Sequence, residues 1–192
     1  MAGKPNSYMS ELHGGTKLLD AEELLAKLGV SEGMRIADLG VGGVGYFVLP
    51  AAEMVGPQGV VYAVDVQKSV LNSLESTRRQ KGLHNIELVW SNLEIIGATN
   101  IPEGSIDRGL LINVLFQNTA RRNVLTEAAR LLASKGRLLV VDWKQTKVPF
   151  GPPLKLRVPP EEIEALGMAV GLKLGARFDA GRAHYGLIFE KL

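Results

Sequence analysis

Two aspartates lie next to a run of glycines, in a pattern that suits the binding of a nucleotide-like ligand. Asp38 precedes the segment 40–45, in which four of six residues are glycine. Glycines let the backbone turn tightly and approach a ligand, and a following helix offers its N-terminal amides. Asp65 comes twenty residues after Gly45. A carboxylate at such a position reaches ribose hydroxyls in open α/β sheets, so the spacing predicts a nucleotide-type site.

The same glycines leave a second interpretation open. Gly40, Gly42 and Gly45 match the G-x-G-x-x-G pattern of dinucleotide-binding folds. Asp38 argues against a nicotinamide or flavin cofactor, because dinucleotide folds usually carry a small apolar residue at this strand end. A helix before the first strand and a hairpin at the C-terminal end argue in the same direction. Glycine turns also serve ordinary packing between a strand and a helix.

Strands and helices alternate along the first three quarters of the chain and must position these residues. Strands are predicted from β-branched and apolar runs at 35–39, 60–64, 86–90, 106–112 and 137–141. Helices are predicted at 46–55, 69–81, 119–132 and 21–28, the last with Asp20 as its N-cap and Gly29 at its end. This alternation predicts a parallel sheet with right-handed crossovers.

The C-terminal quarter departs from that alternation. A proline-rich loop at 149–153 and a helix opening at Pro159-Pro160 precede two strands, 172–178 and 185–190. The connection between these strands is too short for a helical crossover, so they are expected to pair as an antiparallel hairpin. The predicted fold is α/β, a doubly wound Rossmann-like sheet of seven strands, five parallel plus the hairpin, with helices on both faces. Residues 1–15 are expected to form a flexible arm, and 16–192 a single domain.

The composition excludes several kinds of chemistry. The chain of 192 residues has a net charge of +2 and no cysteine. Without cysteine it has no disulfide, no thiolate metal site and no cysteine nucleophile, and no metal site is predicted. The weak net charge gives no reason to expect a nucleic acid or a membrane as partner. No signal segment or membrane-length apolar run occurs in the sequence, so a cytoplasmic protein is expected.

Several motifs together resemble class I S-adenosylmethionine-dependent methyltransferases, and most closely the small members loosely called type 11 methyltransferases. The resemblance covers nearly the whole chain from about Leu18. The segments that carry it are Ile36-Ala37-Asp38-Leu39-Gly40-Val41-Gly42, Val61-Tyr62-Ala63-Val64-Asp65, Ile112-Asn113-Val114-Leu115, Leu138-Leu139-Val140-Val141-Asp142-Trp143 and His184-Tyr185-Gly186-Leu187-Ile188-Phe189. It implies a methyltransferase domain that uses S-adenosyl-L-methionine as its cofactor.

The resemblance also implies roles for individual residues around that cofactor. Asp38 would hold the amino group or a water network near the methionine end, and Asp65 would bind the ribose hydroxyls. Gly40 and Gly42 would let the loop approach the cofactor closely. Val66, Asn92 and Leu93 would contact the adenine, and Asn113 would line the path to the sulfonium.

Two positions depart from the family pattern. The turn after Gly42 is one residue longer, because Gly43-Val44 stands where one residue is usual. Asn92 takes the place of the usual adenine-binding aspartate, although an amide oxygen still accepts a hydrogen bond from the adenine amino group. Both departures concern the affinity for the cofactor and the geometry of the loop.

A substrate is expected at the carboxyl edge of the sheet, where open α/β folds bind their ligands. The fifth strand ends there at Asp142-Trp143, and the last strand begins there at His184. These three residues are predicted to surround one pocket beside the methyl donor, together with Asp179 and Tyr185. Asp142 or His184 is the candidate general base, needed only where the acceptor must lose a proton; each also has a purely structural interpretation, as a loop cap or a rim histidine.

The sequence excludes some classes of methyl acceptor but does not identify the acceptor. The Asn/Asp-Pro-Pro-aromatic signature of exocyclic base methylation is absent, since residues 113–116 read Asn-Val-Leu-Phe. Known cytosine C5 and arsenic methyltransferases require cysteines, which this chain lacks. A small, apolar or aromatic acceptor is favoured, and RNA or protein acceptors and the oligomeric state stay open. The alternatives are a non-catalytic module that binds the cofactor and, less favoured, a nicotinamide-dependent oxidoreductase.

Overall fold

One seven-stranded sheet organises the computed structural model, which describes residues 18–192. The strands in chain order are β1 (Arg35–Leu39), β2 (Val60–Asp65), β3 (Ile86–Trp90), β4 (Ile106–Ile112), β5 (Leu132–Trp143), β6 (Leu172–Asp179) and β7 (His184–Lys191). Their spatial order is β3-β2-β1-β4-β5-β7-β6. The first five are parallel, and β7 lies antiparallel between β5 and β6, so the predicted topology is confirmed. The arm predicted over residues 1–15 lies outside the described residues.

Within residues 18–192, five α-helices cover the sheet. They are α1 (Ala21–Leu28), α2 (Val48–Val55), α3 (Lys68–Lys81), α4 (Arg121–Leu131) and α5 (Pro160–Ala169), with short 3-10 helices at Leu115–Gln117 and Leu154–Leu156. The N-cap predicted for α1 is confirmed, since Glu23 N–H donates to Asp20 Oδ1 at 3.0 Å. Over residues 18–192, no helix combines the length and the apolar character that crossing a bilayer requires.

Alternating side chains along the strands build a core on each face of the sheet. In β1, Ile36 packs into one cluster with α1, α2 and α3, whereas Ala37 packs into the other with α4 and α5. In β5, Leu139 belongs to the first cluster and Leu138 to the second. Because both faces are covered, these strands have continuous apolar sequences, as is typical of buried parallel strands.

The fifth strand differs most from the prediction. It was expected over 137–141 but extends from Leu132 to Trp143. Leu132 pairs with Ile106, and the register shifts before Arg108 pairs with Arg137. Ser134 and Lys135 interrupt the apolar pattern in this stretch, and Lys135 has a positive φ of 61°. The periodicity that identifies strands is therefore lost where the bulge lies.

A buried carboxylate fixes the long helix-free connection between β3 and β4. Glu127 of α4 is fully buried and accepts hydrogen bonds from Gly97 N–H at 2.8 Å and from Thr99 Oγ1 at 2.6 Å. Arg130 forms a salt bridge of 2.7 Å with the same carboxylate. The paired guanidinium and the two neutral donors satisfy the charge, so this connection is held against α4 without a helix of its own.

Candidate functional site

In the glycine loop after β1, Gly40 packs against a neighbouring residue, whereas Gly42 faces open space among the described residues. Gly40 has a φ of 103°, and a Cβ built on it would lie 2.6 Å from Val114 Cγ2. Gly42 has a φ of 61°, and a Cβ there would meet no atom within 4 Å among the described residues. Gly40 therefore lets the loop contact the residue that follows Asn113. Gly42 leaves its backbone exposed to a ligand at the carboxyl edge of the sheet.

Asp65 connects this loop to the end of β2. One of its carboxylate oxygens accepts from Gly42 N–H at 3.0 Å, and the other accepts from Gln67 N–H at 2.8 Å. The side chain is nearly buried. A carboxylate has about four acceptor positions, so both oxygens keep capacity for further donors. The site thus holds an oriented anion beside the exposed backbone of Gly42.

Asp38 provides a second carboxylate in the same place. It is buried at the end of β1, and no donor within residues 18–192 is hydrogen-bonded to it. Burial, with a further contribution from the negative charge of Asp65, raises the pKa of Asp38 to about 7. A cationic or hydrogen-bond-donating group of a ligand would lower that pKa, because it would stabilise the ionised form.

Asn113 presents a buried amide with no partner. Its backbone has a φ of 57°, and its N–H donates to the Val141 carbonyl at 2.8 Å. Among the described residues, neither side-chain atom of the amide has a hydrogen-bond partner. Buried polar groups are nearly always hydrogen-bonded, so this amide is a group that a bound ligand would satisfy.

The end of β3 and the residues after β2 form the opposite side of the loop. Asn92 is exposed, and its Oδ1 accepts from Glu94 N–H at 2.9 Å. Val66 is exposed as well, whereas Leu93 is buried. Trp90, which the sequence analysis did not select, donates its indole N–H to the Val66 carbonyl at 2.9 Å. An aromatic residue at the end of the predicted strand 86–90 was the signal available in the sequence.

Asp142 is fully buried and bonded to backbone amides. Phe116 N–H donates to Oδ2 at 3.0 Å, and Trp143 N–H donates to Oδ1 at 2.7 Å. Burial raises its pKa to about 7, and these hydrogen bonds oppose the increase. The carboxylate therefore holds the 3-10 turn that follows Asn113, rather than capping the loop after β5.

His184 and Trp143 lie opposite each other across the β5–β7 pair. Their ring centroids are 4.1 Å apart, and both side chains are buried. Within the described residues, the two imidazole nitrogens and the indole nitrogen have no hydrogen-bond partner. Burial, with smaller contributions from the charges of Arg157 and Lys144, lowers the pKa of His184 to about 4. The imidazole is thus neutral in the folded protein at neutral pH.

Arg157, which the sequence analysis missed, holds the loop that covers this pair. Its buried guanidinium donates to four backbone carbonyls, those of Lys144, Thr146, Phe150 and Pro152, at 2.7 to 3.2 Å. It also lies 5.4 Å from the centre of the Trp143 ring. The sequence gave no signal for Arg157, because it lies in a loop without periodicity and its partners are backbone carbonyls rather than acidic side chains.

A cavity of about 530 Å³ opens at this edge of the sheet. Of the residues predicted around the acceptor, Asp179 and Tyr185 line it, and the remaining lining residues are Lys144, Gln145, Thr146, Pro159, Pro160, Glu161, Arg177 and Phe178. Asp142, Trp143 and His184 do not line it. Strand pairing brings Trp143 and His184 together as expected, and all three side chains are buried. That they surround a pocket beside the methyl donor stays a prediction.

Comparison with known proteins connects this geometry to a family. A family model described as a methyltransferase domain matches residues 30–165. The ubiquinone/menaquinone biosynthesis C-methyltransferase UbiE of Francisella philomiragia is 32% identical over 130 residues, which make up 67% of this chain and 50% of that protein. The UbiE protein of Yersinia enterocolitica is 31% identical over 61% of this chain and 45% of its own length. The chain spans about half the length of these curated relatives.

Solved structures give the same result for the fold. A SAM-dependent methyltransferase from Aquifex aeolicus superposes with a TM-score of 0.86 at 26% identity, covering 98% of this chain and all of the other. A putative type 11 methyltransferase from Sulfolobus solfataricus superposes with a TM-score of 0.71 at 22% identity, covering 91% of this chain and 94% of the other. The second likeness concerns the fold alone.

The buried imidazole generates a prediction about stability. The pKa of His184 is lowered from 6.5 to about 4 on folding, so an unfolded chain takes up a proton as pH falls below 6.5, while the folded chain does so only near 4. Stability is therefore lost as pH falls through this window, by about 3 kcal/mol. His184→Phe keeps a ring against Trp143 and removes the titration. Relative to the wild type, the variant should gain about that amount between pH 7 and pH 4.

Urea unfolding at several pH values measures this difference. Asp38 and Asp142, whose raised pKa values act in the opposite direction, are present in both proteins and cancel in the comparison. His84→Phe provides the baseline for losing a surface imidazole, because His84 is exposed. A difference between wild type and His184→Phe that stays constant from pH 7 to pH 4 would contradict the assignment.

Proposed function

Since this chain belongs to the methyltransferase-domain family and is a class I S-adenosylmethionine-dependent methyltransferase by fold and family, we propose that it transfers a methyl group to a small aromatic acceptor. The observations that support the proposal are the Asn113 amide, which has no partner within residues 18–192, and the open backbone of Gly42 held by Asp65. These groups suit an amino acid attached to a ribose. They leave the acceptor to the part of the carboxyl edge that β5, β6 and β7 form.

The residues of this chain fit the cofactor group by group. Asp65 would accept the ribose hydroxyls, and Asp38 would interact with the amino group of the methionine part. Val66, Asn92 and Leu93 would contact the adenine, while Gly40 and Gly42 would allow the close approach of the loop. Asn113 would lie nearest the sulfonium. When bound, S-adenosylmethionine supplies an electrophilic methyl group, so the protein needs to bring no reactive side chain of its own.

The acceptor is proposed to enter the cavity at the ends of β5, β6 and β7. Its volume of about 530 Å³ suits a single small ligand. Phe178 and two prolines give it apolar surface, and Gln145 and Thr146 give it polar groups. The relatives are named as C-methyltransferases of ubiquinone and menaquinone biosynthesis. We propose for the present chain an acceptor of related chemistry, a hydroxylated aromatic ring that is methylated at carbon or oxygen.

Catalysis is proposed to rest mainly on alignment and on the exclusion of water. Asp142 acts as a positioning residue here, because its carboxylate holds the backbone of the turn after Asn113. That Asp142 or His184 accepts a proton from the acceptor stays a prediction. A cytoplasmic location and a single domain over 16–192 with a flexible arm at 1–15 likewise stay proposals.

Cofactor binding is tested by thermal melting and calorimetry. S-adenosylhomocysteine should raise the Tm of the wild type, since a ligand that binds only the native state stabilises it, and NAD should not. Asp65→Ala should weaken binding by about 1.5–3 kcal/mol through the loss of charge-assisted hydrogen bonds. Glu87→Ala, an exposed change at the amino end of β3, should leave the affinity unchanged. An unchanged affinity in well-folded Asp65→Ala would refute the ribose assignment, and a shift with NAD alone would refute the cofactor.

Turnover separates an enzyme from a non-catalytic module. We expect S-adenosylhomocysteine to accumulate with at least one reduced benzoquinone or naphthoquinone that lacks a ring methyl group. Mass spectrometry with deuteromethyl-labelled cofactor would locate the new bond on carbon or oxygen. A protein that binds the cofactor but methylates none of a panel of quinols, phenols, amines, RNA and peptides would be a module. Methylation of RNA or peptides alone would move the acceptor to another class.

The pH dependence of that turnover separates positioning from proton transfer. Asp142→Asn places an amide nitrogen against one backbone donor, so we expect kcat to fall about tenfold through misalignment while the pH profile keeps its shape. A general base would instead contribute about a hundredfold or more, and its loss would remove a limb of the profile. His184→Phe should also leave the shape of the profile unchanged. Loss of a limb in either variant would restore that residue as the base.

A further inference from the structure

The loop after β5 exposes apolar side chains that the core does not use. In the 144–158 loop, Phe150 is 39% exposed, and Leu154 and Leu156 are each 45% exposed. Leu154 and Leu156 belong to the short 3-10 helix, and Phe150 contacts the edge of the Trp143 ring with centroids 6.2 Å apart. We name these three side chains the apolar patch. Exposed apolar side chains within one short loop often mark a contact surface.

The charge of the same loop is one-sided. The segment 144–158 contains three lysines and one arginine and no aspartate or glutamate. Arg157 is buried, and Lys144 is paired with Asp179 at 2.8 Å. Lys147 and Lys155 are exposed and form no salt bridge within the described residues. The apolar patch is therefore flanked by two unneutralised positive charges.

A buried arginine also holds the loop together. The Arg157 guanidinium holds the carbonyls of Lys144, Thr146, Phe150 and Pro152 together. A surface that is already ordered loses little conformational entropy when it binds. The apolar patch thus protrudes on a fixed support, beside the mouth of the cavity that Lys144, Gln145 and Thr146 line.

We propose that the 144–158 loop docks on an anionic lipid surface, with Phe150, Leu154 and Leu156 entering the interface and Lys147 and Lys155 meeting the headgroups. Apolar side chains with adjacent lysines are the combination that binds membrane interfaces without spanning them. Three half-exposed side chains offer too little area for a standard protein interface. The weak net charge and the lack of a membrane-length apolar run predict no membrane partner, but peripheral docking needs no membrane-spanning helix.

Docking of this kind would place the cavity mouth at the lipid surface. An apolar acceptor held in the bilayer would then reach the site without crossing water. This consequence alone rests on the proposed function, because adsorption of the loop requires neither cofactor nor acceptor. The test therefore measures binding of the full chain to vesicles with no other ligand present.

Sedimentation with sucrose-loaded vesicles tests the proposal. Wild type should pellet with vesicles of equal parts phosphatidylcholine and phosphatidylglycerol and far less with phosphatidylcholine alone. Leu154→Ser/Leu156→Ser and Lys147→Gln/Lys155→Gln should each weaken binding by about tenfold. The first double variant keeps the contact between Phe150 and Trp143, and unchanged melting curves would show that both variants fold. Added salt should reduce binding of the wild type.

The matched control lies near the amino end of β6, at the opposite end of this strand from the cavity. Met168→Ser/Lys173→Gln removes an exposed apolar side chain and an exposed lysine there and should bind vesicles like the wild type. Wild type that stays in the supernatant with anionic vesicles, or serine variants that pellet equally well, would overturn the proposal. A dimer that the serine variant dissociates, with no vesicle binding, would assign the apolar patch to a second copy of this chain and overturn it as well.

Discussion

The hydrogen bond between Gly42 N–H and the Asp65 carboxylate is the interaction on which the candidate site depends. It links the loop after β1 to the end of β2 and fixes the loop where its backbone faces open space. The parallel pairing of these strands makes the bond possible, because Asp38 pairs with Ala63 and Leu39 with Val64. Both carboxylates then lie at one edge of the sheet, and their mutual repulsion contributes to the raised pKa of Asp38. A ligand with hydroxyls and a positive charge would donate hydrogen bonds to the Asp65 carboxylate and offset the repulsion between the two aspartates.

Around β5 and β7, buried polar groups at the carboxyl edge have a different function. There, Asp142 and Arg157 have their hydrogen-bonding capacity directed to backbone groups, and each fixes a loop rather than facing a cavity. Loops carry binding function only when something rigid positions them. A buried carboxylate that holds backbone amides and a buried guanidinium that holds backbone carbonyls both serve that purpose. Two residues that line the cavity take part in this network: Gln145 Nε2 donates to the Arg157 carbonyl at 3.2 Å, and the Thr146 carbonyl accepts from the guanidinium at 2.7 Å.

These two arrangements divide the chemistry between halves of one sheet. The half around β1, β2 and β4 presents charge and open backbone, which suits a polar cofactor. The half around β5, β6 and β7 presents a mixed cavity and an apolar loop, which suits a less polar acceptor. The antiparallel β7 is what joins the halves, because it brings His184 and Tyr185 back to the edge where β5 ends. The cavity would not form at this place on a sheet that continued with a parallel crossover.

The sequence by itself determined the fold class, the strand that carries the glycine loop and the acid that faces it. These depend on local signals: apolar periodicity, glycines at a strand end and a fixed spacing to the next strand end. Only the tertiary structure decided that Asp142 and His184 are covered, and that Arg157 holds the loop over them. Burial of a strand end depends on a loop distant in sequence, and an arginine bound to carbonyls leaves no complementary acid to find. Position along a strand is encoded locally, whereas exposure at its end is a property of everything that folds around it.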